Sequence, residues 1–390
     1  MEKTTQSVNT SVSAYIHIPF CEHICYYCDF NKVFIEGQPV DEYIDMLIRE
    51  MQLTRQLYPA DKMETIYIGG GTPTALSAEQ LDKLLLGVRR ELPFDDRNEF
   101  TVEANPGDLT LEKLRVLQHY GVNRLSMGVQ SFDDRVLKKI GRRHSSQDVF
   151  DTMKVIESSG LTNVSIDLIY ALPNQSLASF EDTLTKALAL DLPHYSLYSL
   201  ILENKTMFYN WMRQGRLRLP GEDTESDMFD MAIDRMVQAG KHHYEISNFA
   251  DAGKESRHNL VYWDNEHYYG LGAGASGYLG QKRYKNHGPI QHYLEPLRHH
   301  CLPVVSEESL SLTNQMEEEM FLGLRKAAGV SSLRFQQKFG RALTEVYGDV
   351  LNDLMARQLL AEKDGAYFLT KQGLHLGNDV FEQFLIEQTD

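Results

Sequence analysis

Between residues 14 and 202, six β-rich runs alternate with amphipathic helical stretches, and this alternation most constrains how the chain can fold. The runs are "AYIHI", "TIYIG", "EFTVEA", "RLSMGV", "VSIDLIY" and "YSLYSLIL", rich in Val, Ile, Tyr and Leu and bounded by Gly, Pro or Asn. The helical stretches between them include "DEYIDMLIREMQLTRQLY", "SAEQLDKLLLGVRREL", "TLEKLRVLQHYG", "SSQDVFDTMKVIESSG" and "SLASFEDTLTKALAL". Ser77 with Gln80 predicts a capping box, and two of the helices run into a glycine, a common helix stop. Strand–helix alternation implies an α/β fold of parallel strands joined by crossovers. Six units fall short of a closed eight-unit barrel, so a partial (β/α)6 barrel and a doubly wound sheet both fit. Either places the functional loops at the C-terminal ends of the strands.

The pattern then changes, which divides the chain into residues 1–203, a mixed α+β segment over 204–304 and a small, mostly helical C-terminal domain over 305–390. In the last part three helices and a hairpin turning at Asp364–Gly365, followed by one final helix, predict a winged-helix-like unit. No run is apolar enough to span a bilayer, and the opening "MEKTTQSVNTSVS" lacks the apolar core of a secretory signal. A cytoplasmic protein is expected. The net charge of −16, with only the short basic runs "KKIGRRH" and "QKRYKNH", argues against a nucleic-acid partner.

Three of the four cysteines fall in "CEHICYYC", too few and too close for a disulfide framework. Zinc would need a fourth ligand, such as His17 or His23, and usually takes two separated Cys-x-x-Cys knuckles. A redox pair would need only two thiols. A [4Fe–4S] cluster on Cys21, Cys25 and Cys28 would leave one iron open to a substrate or cosubstrate. Cys301 stands alone and is expected to be a buried, inert cysteine.

The C-x₃-C-x₂-C spacing, with an aromatic before the last cysteine, resembles the radical S-adenosylmethionine (SAM) superfamily, whose fold is a partial barrel. The resemblance implies that the open iron chelates the amino and carboxylate groups of SAM. It also implies SAM contacts from Gly70, Gly71 and Thr72 in "GGGTPT", and from Glu103, Gln130, Arg142 and Asp167 at or beyond strand ends. Tyr15 would lie beside the cluster, and Ile201 would be an apolar contact. A low-potential electron donor is implied as a partner.

"YIHIPFC", "CDF", "GGGTPT", "LSMGVQSF" and "DLIYALP" together resemble the group of oxygen-independent coproporphyrinogen III oxidase and its paralogue, a heme chaperone. The oxidase carries a fourth cysteine two residues after the third, where this chain has Phe30. The chaperone group carries H-N-x-x-Y-W, here "HNLVYW", which makes His258, Asn259, Tyr262 and Trp263 heme-contact candidates. Imidazole is a common axial ligand of heme iron, and aromatic rings pack on a porphyrin face. The implied function is heme binding and delivery to acceptor proteins, in that family typically respiratory ones at the membrane. The alternative is oxidative decarboxylation of coproporphyrinogen III to protoporphyrinogen IX. A radical-SAM enzyme acting on tRNA ranks below both on charge.

Gly272, Gly274 and Gly277 in "GLGAGASG" satisfy G-x-G-x-x-G, but "YLGQKRYKN" after them reads as strand. A dinucleotide site needs a helix there. The loop is expected to serve close approach near the cofactor pocket.

Overall fold

All six β-rich runs become strands of one sheet in the computed structural model, which describes residues 11–386. The expectation about a secretory signal concerns mainly the first ten residues, which lie outside the described range. The strands are β1 (Ser11–Ile18), β2 (Lys62–Gly70), β3 (Phe94–Ala104), β4 (Arg124–Gln130), β5 (Val164–Tyr170) and β6 (His194–Ser199). Each pairs in parallel with the next. Five crossover helices connect them: α1 (Val40–Leu57), α2 (Ala78–Glu91), α3 (Leu111–His119), α4 (Ser146–Ser159) and α5 (Leu177–Leu188). The order never reverses, so there is no topological switch point and the doubly wound alternative falls away.

Local chemistry sets these elements as expected. Ser77 and Gln80 form the reciprocal capping box of α2, and Gly160 ends α4 in the left-handed region at φ 79°. Alternation along each strand divides two environments. Ala14, Ile16 and Ile18 on β1, with Leu125, Met127 and Val129 on β4, pack with Leu47, Leu84 and Leu85 of the helices in the main core. The intervening positions turn into the barrel and are strongly polar.

The middle segment does not stand apart from this sheet. Its strands are β7 (His242–Glu245), β8 (Asn248–Ala250), β9 (Tyr268–Leu271), β10 (Ser276–Leu279) and β11 (Lys282–Asn286), and the expected boundary at 304 falls inside a further strand of the same sheet, β12 (Val304–Ser309). They extend the sheet at both edges, giving the order β12-β11-β10-β9-β1-β2-β3-β4-β5-β6-β8-β7. β9 runs parallel to β1, with Tyr15 opposite Gly270. Helices α6 (Glu222–Gln238) and α7 (Arg257–Trp263) also belong to this segment.

Residues beyond it build a second core around Phe335, Tyr347, Leu351 and Phe384. It lies between α8 (Leu312–Gly323), α9 (Ser332–Phe339), α10 (Leu343–Ala356) and a hairpin of Leu360–Lys363 with Ala366–Leu369. Asp364 and Gly365 turn that hairpin with positive φ, as their residue types predict. The final helix is split into two short ones, Lys371–His375 and Gly377–Glu382. Among the described residues no helix is long and apolar enough to cross a membrane. Cys301 is exposed rather than buried, because it follows the end of the helix Ile290–Arg298 and its amide turns back to Pro296.

Candidate functional site

The three clustered cysteines leave β1 at the C-terminal edge of the barrel, where the strand order puts functional loops. Their loop is held by backbone. Phe20–Cys21 pairs in parallel with Val33–Phe34, and the amides of Gly71 and Thr72 bond the carbonyls of Ile18 and Phe20 at 2.8 Å each. A side chain at Gly71 would put its Cβ 2.8 Å from those same carbonyl oxygens, and one at Gly70, where φ is 112°, would strike the His17 ring at 2.3 Å. Two glycines are therefore needed for the second loop to lie against the first. The "GLGAGASG" loop buttresses the other side: Asn31 donates to the carbonyls of Ala273 and Gly288 at 2.8 and 2.9 Å. That loop joins β10 and then β11 with no helix, so it lacks the context of a dinucleotide site.

Cys21, Cys25 and Cys28 line a cavity of about 470 Å³. Gly70, Gly71, Thr72, Glu103, Gln130, Arg142, Asp167 and Ile201 line the same cavity, as does Asn259. Glu103 accepts from the Tyr67 hydroxyl at 2.7 Å and the Gly70 amide at 2.9 Å. Burial pushes its carboxyl up to about 7, against those two hydrogen bonds. Burial also raises Asp167, which accepts from Ser126 at 3.2 Å. Arg142 reaches Cys25 Sγ at 3.6 Å and Asn105 Oδ1 at 2.7 Å, and bonds the Gly128 carbonyl. Gln130 sits at φ 67°, where the β4–β5 register shifts, and that bulge turns it to the cavity. Phe30 and Ile201, 60% and 69% exposed, form an apolar rim at the mouth.

Tyr15 does not line the cavity. Its hydroxyl bonds His17 Nδ1 at 2.9 Å, and His17 Nε2 bonds the Asn31 carbonyl at 2.7 Å, so it supports the cysteine loop from beneath. Of the heme-contact candidates, only Asn259 faces the cavity. His258 is 1% exposed, with Nδ1 on Thr65 Oγ1 and Nε2 on the Tyr262 hydroxyl, both at 2.7 Å. Its ring stacks on Tyr67 at 5.1 Å. Burial, then the charge of Arg124, lowers its pKa to about 3, so the ring is neutral with neither nitrogen free. Tyr262 and Trp263 instead wall a separate cavity of about 390 Å³ with Tyr268, Phe321 and Leu322.

Tyr67, Tyr198 and Arg124 line the main cavity without any motif having marked them. The available signal was a polar or charged residue at the inward phase of an otherwise apolar strand.

The donor chemistry fits an iron–sulfur cluster. Burial pushes the Cys21 thiol up to about 11, against a hydrogen bond from Thr72, with Cys28 and Cys25 adding to the rise. Burial likewise raises Cys28. Thiolates at Cys21 and Cys28 need a strongly cationic group, which a metal centre provides. Among the described residues no three His, Cys, Asp or Glu side chains converge on a single ion.

A parallel six-strand barrel bearing this cysteine loop and polar strand ends defines a radical-SAM-type site. The sequence model of the radical SAM superfamily matches residues 15–187, and that of the HemN C-terminal domain matches residues 310–376. The heme chaperone HemW of Bacillus subtilis is 52% identical over 376 residues, 96% of this chain and 99% of that protein. The Lactococcus lactis heme chaperone HemW is 50% identical over 96% of this chain and 97% of its own length. Among solved structures, the Escherichia coli coproporphyrinogen III oxidase HemN, described as a radical SAM enzyme, superposes with a TM-score of 0.84. It is 23% identical over 96% of this chain and 90% of that one, and that likeness shows the fold. The chain belongs to the HemW family of the radical SAM superfamily.

Proposed function

We propose that this protein is a heme chaperone, holding a [4Fe–4S] cluster on Cys21, Cys25 and Cys28 and SAM across the strand ends, and passing heme to acceptor proteins. The observation that carries this is identity of 52% over 96% of the chain to a protein named for that function, joined to a cavity that gathers all three cysteines with the polar strand-end groups. The cluster and SAM, when bound, supply one-electron chemistry at the open iron and, if SAM is cleaved, a 5′-deoxyadenosyl radical. The chain's own residues hold and orient. Arg142 places a fixed positive charge beside Cys25, Glu103 and Asp167 offer buried acceptors, and Gly70, Gly71, Thr72 and Gln130 bring backbone and small polar groups close. Ile201 and Phe30 stand exposed as apolar groups at the mouth.

Helix α7 is the heme-contact element in this reading. Asn259 meets the cavity, and Tyr262 and Trp263 offer aromatic surface behind it. His258 becomes an iron ligand only if its bond to Thr65 or to Tyr262 opens. The acceptors are respiratory heme proteins, reached from the cytoplasm by peripheral contact at the membrane, and a low-potential donor reduces the cluster. The alternative of coproporphyrinogen oxidation draws on the fold shared with HemN, but Phe30 stands where the oxidase pattern has its fourth cysteine.

Heme transfer tests the reading. Reconstituted protein loaded with one heme is mixed with an excess of an apo heme protein, and the Soret band is followed. Transfer by wild type that fails in Cys28→Ser supports the reading, and wild type that binds no heme overturns it.

A further inference from the structure

The cavity floor holds a guanidinium whose Nε has no hydrogen-bond partner. Arg124 is 2% exposed and lines the cavity. Its Nε is buried with no hydrogen-bond partner, and among the described residues no carboxylate lies at ion-pair distance, although its charge pulls the Asp167 carboxyl down against burial. Buried polar groups are nearly always partnered, and an unpaired buried charge is strongly unfavourable.

The surrounding acids are all committed elsewhere. On β3, Thr101 lies opposite Arg124, which puts Glu99 one inward layer deeper and Glu103 one layer above. Glu99 accepts from the amides of Arg257 and His258 at 2.9 and 3.0 Å. Glu103 is held by Tyr67 and Gly70, and Asp167 by Ser126. The neighbouring His194 and His258 stay neutral, through burial first and then Arg124's own charge, so the guanidinium is the lasting positive charge of the floor.

We propose that Arg124 is an oxyanion receptor at the cavity floor, shaped to take a carboxylate of the ligand that fills the cavity. The proposal rests on the heme-and-SAM reading above. A planar guanidinium matches a carboxylate with two parallel hydrogen bonds. Both ligands of that reading carry carboxylates, heme on its propionates and SAM on its methionine end. Asn259, on the heme-contact helix, shares the cavity with Arg124, and Arg142 stands at the cysteines where SAM's carboxylate is expected, so a propionate is the favoured occupant.

The test compares wild type, Arg124→Gln and Arg124→Lys, each cluster-loaded. Dissociation constants are measured for heme against heme dimethyl ester, and for SAM against decarboxylated SAM. Wild type should prefer free heme over its ester by about tenfold or more, the worth of a charge-assisted hydrogen bond. Arg124→Gln should bring that ratio close to one, and Arg124→Lys should keep part of it. If only the SAM ratio collapses, the proposal holds with SAM as the source. Both ratios unchanged in Arg124→Gln would overturn it. The thermal midpoint of ligand-free Arg124→Gln should equal or exceed that of wild type, since an unpaired charge has been removed. A lowered midpoint with unchanged ratios would assign Arg124 a purely structural role and also overturn the proposal. Wild type that binds neither heme nor SAM would sink the functional reading and the proposal with it.

Discussion

Glu103 shows how a single inward residue ties fold to function. Its oxygens are held by Tyr67 and the Gly70 amide, and burial lifts its carboxyl to about 7. The folded protein keeps a proton that the unfolded chain has already lost, so the ligand-free fold loses stability as pH climbs toward 7. SAM carries a sulfonium cation and favours the ionised form. Its affinity should therefore rise with pH through about 7 and level off above, as read by equilibrium dialysis of the reconstituted protein. Glu103→Gln should weaken SAM binding by about tenfold and flatten that profile. An unchanged profile would remove Glu103 from the site. The residues that could be found from sequence were those whose meaning is local: Cys21, Cys25 and Cys28 by spacing, Gly70 and Gly71 by their run after a strand. Arg124 and Tyr67 could not, because their importance comes from the inward phase of strands whose partners lie elsewhere in the chain. The "HNLVYW" motif was readable, but not that His258 is sealed between Thr65 and Tyr262, residue 65 being distant in sequence.

At the level of elements, the glycine loop between β9 and β10 depends on one carboxyl from α1. Glu50 accepts from the Gly272 amide at 2.8 Å, Asn286 Nδ2 at 2.6 Å and the Tyr293 hydroxyl at 2.6 Å. Glu50→Ala strands two buried donors, the Gly272 amide and the Tyr293 hydroxyl, and takes one acceptor from Asn286, which keeps the Gly272 carbonyl at 3.0 Å. The expected loss is about 3 kcal/mol or more by denaturant unfolding of the ligand-free protein. Because this loop supports Asn31, iron content after reconstitution should fall as well. A loss within about 0.5 kcal/mol would mean that water replaces the carboxyl without penalty. The six barrel strands and five crossover helices were legible because each is long and strongly periodic. The parallel pairing of β9 with β1 was not. β9 is only four residues long, and its register joins segments far apart in the chain, which no local pattern encodes.

Across the whole molecule, the C-terminal helices are tied to the end of α7 by charge. Asp264 bonds Lys326 and Arg334, while Glu319 holds Lys338 at 2.7 Å. Burial alone would raise the Asp264 carboxyl, but Lys326 and Arg334 hold it below its ordinary range. A depressed carboxylate stabilises the fold at neutral pH, and that contribution is lost as pH falls through its folded value. Asp264→Asn should speed amide exchange across Ser332–Phe339 at neutral pH while leaving β1 and β2 unchanged. Equal exchange in both proteins would show that the second core docks without this link. Heme binding without porphyrinogen chemistry is what separates a chaperone from the oxidase. The most direct measurement is an anaerobic heme titration of the reconstituted protein, with coproporphyrinogen III turnover assayed on the same sample in the presence of SAM and reductant. One heme bound per chain with no decarboxylated product is the predicted result. Turnover to protoporphyrinogen IX without stoichiometric heme binding would contradict it and make the protein the oxidase.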